Sequence, residues 1–249
     1  MSILDKLNGV GMDQLEQSAA MPLLKLLGFQ SPEITDPDKK IEGAQAGDIL
    51  FAPTGEILKQ PIEFVVLSKC SYYAEWKPKS AGGGLVGHHP KTIIGDPEYV
   101  KGSDRSEWDE FLGKNELKWT MYYAIRFVKD GEWTEGILAF TKTGNTKAGR
   151  PLNDMIKKFQ YPEGVDQIPF LFSRTYLLSS FLDKNADNSW YNWKVEAGDI
   201  ISLEDEQEFL SECYDMVKPA AQALPSPHNN QPQQKALANA VDAEAVEVF

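Results

Sequence analysis

The chain has 249 residues, is 42% hydrophobic and 25% charged, and carries a net charge of -12. These figures describe an ordinary globular composition and exclude a uniformly basic nucleic-acid binder. No apolar run is long enough for a membrane span, the N-terminus MSILDKLNGVGMDQ has no secretory pattern, and Cys70 and Cys213 stand far apart in the sequence, which reads as two reduced thiols.

Residues 1–45 read as an irregular arm. Leu15, Ala19, Leu23, Leu26 and Leu27 have helical spacing, but Pro22 interrupts it and turn-rich SPEITDPDKK follows. Strand character starts at DILFA, and Pro53 with Gly55 marks a bend before EIL. A strong strand then covers Ile62–Lys77, rich in β-branched and aromatic residues. Residues 78–118 form a Gly- and Pro-punctuated insertion with a short helix expected around Trp108–Leu112. Trp119–Val128 and Glu132–Thr141 flank Lys129-Asp130-Gly131, a hairpin signal. Lys147–Phe159 has Leu152, Met155, Ile156 and Phe159 at helical spacing. Phe170–Leu182 and Ser189–Val195 read as strands. Ser202 and Asp205 form a capping-box pattern for a helix over 203–218, which Lys218-Pro219 closes. Residues 219–249, rich in Pro, Gln and Asn, cannot build a core and read as a disordered linker with an acidic tip.

This order, β-β-β-α-β-β, predicts a mainly β chain with α additions (α+β). It fits a decorated five-stranded OB-fold barrel over 46–218, with a long insertion after the first strand.

Motifs for catalysis are missing. There is no P-loop, no paired CxxC and no nucleophile elbow, and Lys142-Thr143-Gly144 lacks a Ser-x-x-Lys partner. His88-His89 follow a glycine run without carboxylates at ligand spacing, so they read as a solvated loop. The chain is therefore expected to be no enzyme and to need no cofactor or metal.

Charge is segregated. Lys142, Lys147, Arg150, Lys157 and Lys158 face only Asp154 between 141 and 160, whereas 196–215 has eight acids and no base. Single-strand binders join a basic groove to aromatic platforms, and this chain interleaves the two residue types. Tyr72, Trp76 and Lys77 adjoin along one strand. Alternation in Trp119–Val128 places Trp119, Met121, Tyr123, Ile125 and Phe127 on a core face and leaves Tyr122 and Arg126 on the other. Lys142, Lys147 and Arg150 lie where a loop enters a helix, and Trp190 and Lys194 follow the last turn. Aromatic strand residues ordinarily pack, which is the competing reading for each of them.

The sequence closes on VDAEAVEVF. An OB-like order, a Pro/Gln/Asn linker and an acidic tip ending in Phe resemble single-stranded DNA-binding proteins of bacterial or phage type. The bacterial tip carries Pro before its Phe where this chain has Val248, and phage tails are at least as similar. The resemblance implies a protein of phage replication or recombination, in the host cytoplasm. It would coat single-stranded DNA and dock replication or recombination proteins through Asp242, Glu244, Glu247 and Phe249. The alternative is a non-enzymatic protein-interaction or virion-associated β-domain.

Overall fold

The computed structural model describes residues 22–78, 81, 85–102, 109–112, 114–163, 165, 167–186 and 188–225. The tip residues Asp242, Glu244, Glu247 and Phe249 lie outside them. The described residues form eleven strands: β1 (Leu24–Leu26), β2 (Ile49–Phe51), β3 (Glu56–Leu58), β4 (Ile62–Trp76), β5 (Leu85–His89), β6 (Tyr99–Val100), β7 (Asp109–Phe111), β8 (Asn115–Lys129), β9 (Glu132–Thr141), β10 (Arg174–Lys184) and β11 (Ser189–Ile200). Helical residues run from Lys142 to Lys158 between β9 and β10, and a C-terminal helix covers Gln207–Ala223.

The long strands pair antiparallel as β4 with β8, β8 with β9, β4 with β10, and β10 with β11. Taken as first to fifth strands, with helical residues between third and fourth, they have the neighbours of a partly open OB barrel. The seam between β9 and β11 carries no ladder among the described residues. Side chains fill it instead. Phe140 of β9 meets Trp193 of β11 with ring centroids 5.7 Å apart.

Part of the expected irregular arm belongs to this seam. Leu23, Leu24 and Leu27 are buried, and Ile137 N–H of β9 donates to the Pro22 carbonyl at 2.7 Å. Helical spacing of the leucines does not decide their state, because β1 pairs with β2 and delivers them to the core as a strand. Gly136 permits the approach, since a Cβ there would stand 2.6 Å from Leu24 Cδ1. The bend before EIL is the β2–β3 hairpin, with Gly55 at φ +68.

A bulge sets the faces of β4. Val66 pairs with Ile125 and Ser68 with Ala124, leaving Leu67 unpaired. Phe64 and Val66 point into the barrel with Phe127 and Ile125; beyond the bulge the same face carries Lys69, Ser71 and Tyr73 opposite Tyr123, Met121 and Trp119. Past Thr120, the last residue of β8 that pairs with β9, β4 and β8 run on beyond the barrel as a finger. The insertion read as loop and short helix builds the finger instead. β5 pairs with β4, β7 with β8 and β6 with β7, and the segment expected as helix is strand β7. Tyr73 stacks edge-on against Trp119 at 5.0 Å, and Glu75, buried, holds Asn115 and His89, the latter at 2.6 Å.

The C-terminal helix begins later than the sequence implies. Asp205 N–H donates to Ser202 Oγ at 3.1 Å, so the expected box is a turn ahead of the helix. The helix continues through Pro219, because buried Ala220, Ala223 and Leu224 hold its last turn on the sheet. Pro219 forfeits one backbone hydrogen bond there.

Candidate nucleic-acid interface

The helical residues after β9 comprise Lys142–Gly144, a wide turn over Asn145–Gly149, and Arg150–Lys158 with Pro151 in its first turn. Gly144, Asn145, Ala148, Gly149 and Leu152 face inward. Asn145 Nδ2 donates to the Trp119 carbonyl at 2.6 Å, and Tyr123 Oη donates to the Gly149 carbonyl at 2.9 Å. A Cβ on Gly149 would lie 3.0 Å from Met121 Sδ, so a larger residue would push the segment off the barrel. Inward packing turns Lys147, Arg150, Lys157 and Lys158 to solvent with Asp154. Arg150, Lys157 and Lys158 make no ion pair among the described residues. Lys69 reaches this helix from β4 and donates to Asn153 Oδ1 at 2.7 Å. Burial first, and the charge of Lys157 second, lower the pKa of its ammonium.

Lys147 joins the helix to the β10–β11 hairpin. Its Nζ is 3.5 Å from Asp183 Oδ2 and 5.9 Å from the Phe181 ring centroid. The register sets Asp183 opposite Trp190, Phe181 opposite Asn192, and Ser179 opposite Lys194, all on one hairpin face. Lys194 pairs with Glu196 at 2.8 Å and both are well exposed. Two residues expected at a site, Lys147 and Trp190, thus meet around Asp183, with Lys194 four residues further along the same hairpin face; Arg150 is exposed three residues beyond Lys147.

At the start of the helical segment a second group forms. Lys118 Nζ lies 5.3 Å from the Trp76 ring centroid, and Lys142, at φ +39, lies close enough to Lys118 to feel its charge. Burial, then Lys118, lower the Lys142 pKa. Tyr72 sits half-buried on the same face of β4, and Lys77 is exposed past its end. Trp76 itself is only 6% exposed, so it offers no open ring to a base; the cation above it already occupies that role.

Two expected residues share this outer face but lie under cover. Tyr122 and Arg126 do lie on the face of β8 opposite the core, as alternation requires, but that face is covered. Tyr122 Oη meets His88 Nε2 at 2.9 Å, and Arg126 pairs with Glu212 of the C-terminal helix at 2.9 Å, under the Phe209 ring. The physical reason is the acidic helix. It lies on the outer face of β4 and β8, with Cys213, Val217 and Ala220 buried and Phe209 packed on Trp133 at 4.7 Å. Its start, at Phe209 and Glu212, also covers Trp133 and Arg126 on the outer face of the second and third strands, β8 and β9, where an OB barrel commonly receives its ligand. His88 is likewise no solvated loop residue: it is buried in β5, and desolvation lowers its pKa to about 4. Among the described residues no group of His, Cys, Asp and Glu is placed to hold a metal.

Phe181, Asp183, Asn192 and Lys118 escaped the sequence reading. Folding the hairpin about DKNADN would have set Phe181 and Asp183 beside Trp190, since a tight turn fixes cross-strand register. Lys118 carried no such signal, because its contact with Trp76 depends on the bulge in β4.

The described molecule is an α+β protein, mainly β, whose five long strands follow the OB order with one basic helical segment on the barrel. A family model described as Pam3 phage gp34-like protein matches residues 3–223, and the chain belongs to this phage family. No curated protein matches it, and no solved structure does. Among the described residues no helix is long and apolar enough to cross a membrane.

Proposed function

We propose that the protein binds single-stranded DNA during phage replication or recombination in the host cytoplasm, without catalysis, along the strip that runs from Lys118 and Lys142 through Lys147 and Arg150 to the β10–β11 hairpin. The observation that carries this reading is the exposed cationic face of Arg150, Lys157 and Lys158, without an ion pair among the described residues, on the helical segment whose Lys147 reaches Phe181 and Asp183, in a chain of net charge -12. Cations track the phosphates and aromatic rings receive bases, each stacked base contributing about 1–3 kcal/mol. The tip at Asp242, Glu244, Glu247 and Phe249 would recruit replication or recombination proteins.

The test is fluorescence anisotropy with labelled single- and double-stranded oligonucleotides at two salt concentrations. Binding preferential for single strands and weakened by salt is expected. Absence of single-strand binding at low salt would sink the proposal and favour the second reading, a protein-interaction or virion-associated domain. Exposed Val86, Ile94, Val100 and Leu112, all on the finger, speak for that alternative.

A further inference from the structure

The outer face of the β10–β11 hairpin holds more than a platform for stacking. Asp183 stands opposite Trp190 and two residues from Phe181 on the same face, and among the described residues its carboxylate is only partly engaged. Oδ1 accepts the Lys184 N–H at 3.1 Å. Oδ2 receives two long contacts, from Asn192 Nδ2 at 3.4 Å and from Lys147 Nζ at 3.5 Å. Asn192 is 3% exposed, so a buried amide positions the carboxylate. Lys147 is loosely held and about half exposed, and it swings on a flexible stem. An ionised carboxylate has room for about four donors. A ligand that offers the lysine a better anion therefore releases acceptor capacity on Asp183, beside two aromatic residues.

From this arrangement we infer that the hairpin is a base-reading subsite selective for guanine. Guanine presents two adjacent donors, its ring N–H and its amino group, to the two oxygens of one carboxylate; the other bases present one donor group on that edge. Lys147 transfers from Asp183 to the neighbouring phosphate as the base enters, and Phe181 or Trp190 receives the ring. Lys147 thus couples backbone contact to base reading. The inference rests on the proposed binding of single-stranded DNA.

The experiment compares alternating dT–dG and dT–dI oligonucleotides of equal length. Inosine lacks the amino group and is otherwise the same shape, and alternation removes any dependence on where the protein sits. Anisotropy at constant salt should show about tenfold tighter binding of the guanine form, the lower end for one bidentate base contact. Asp183→Asn should bring that ratio close to one. Equal affinities for the two oligonucleotides in the unaltered protein overturn the inference without any variant, and so does a ratio that survives in Asp183→Asn. Failure to bind either oligonucleotide, or oligo(dT), at low salt removes this inference together with the proposed function. Binding of oligo(dT) with no guanine preference removes the inference alone.

Discussion

Two helices pack on β8 from opposite faces. The segment after β9 seats on the face of Trp119, Met121 and Tyr123 and shows Lys147, Arg150, Lys157 and Lys158 to solvent. The C-terminal helix seats on the face of Arg126 and shows Glu208, Glu212 and Asp215, with Glu204, Asp205 and Glu206 just ahead of it. One covers Arg126 and Trp133 on the surface an OB barrel commonly uses, and the other presents a basic surface elsewhere. The difference teaches that a net charge of -12 sums two unlike surfaces. With a Debye length of about 8 Å at physiological salt, an approaching phosphate responds to the near surface rather than the total.

If the two helices divide stability from binding, variants on each should separate the two properties. The largest effect is expected from Leu210→Ala in the C-terminal helix. Leu210 is fully buried, so its truncation should cost about 2–5 kcal/mol in denaturant unfolding while the folded fraction keeps its DNA affinity. A parallel drop in affinity in fully folded protein would blur the division.

The converse variant is Arg150→Ala with Lys157→Ala and Lys158→Ala. Stability should stay within about 0.5 kcal/mol per substitution, these being exposed positions. Single-strand affinity should fall, and the slope of log K against log salt should flatten by about 2, at roughly 0.7 for each phosphate no longer neutralised. An unchanged slope would place the binding surface elsewhere.

A smaller effect belongs to the covered face. His88 is buried beside Tyr122, with its pKa lowered from 6.5 to about 4 by desolvation. Between those values the unfolded chain binds a proton that the folded one does not, so stability falls as pH drops from 6.5 towards 4 and is unaffected above that window. The contribution is on the order of 3 kcal/mol at full extent. His88→Gln should flatten this part of the pH profile in denaturant titrations, and an unaltered profile would argue against a buried neutral imidazole.

The smallest effect is expected from removing the tail. Because Ala220, Ala223 and Leu224 are buried, truncation must follow Pro225 rather than Lys218. Without residues 226–249, affinity for single strands at low salt should be preserved or slightly raised, since the acidic tip is not attracted to phosphate and can compete for the basic surface. A large fall in affinity, read by anisotropy, would contradict the division of roles.

Much was legible in the residues themselves. The β-β-β-α-β-β order follows from local signals: β-branched and aromatic runs, the Asp130-Gly131 turn, and the period of Leu152, Met155 and Ile156. The basic character of 142–158 and the acidic character of 196–215 are composition, and folding leaves them at the surface. The alternation of β8 was correct as geometry, since Tyr123, Ile125 and Phe127 are core and Tyr122 and Arg126 face away. Tertiary structure decided what lies over each face. Arg126 is sealed because a helix some eighty residues later in the chain lands on it, Trp119 is half-exposed because β8 outruns the barrel, and Lys147 meets Asp183 because the hairpin edge passes beneath the wide turn. Periodicity acts over a few residues and reports which way a side chain points. Long-range packing alone determines whether solvent, a helix or a ligand meets it there.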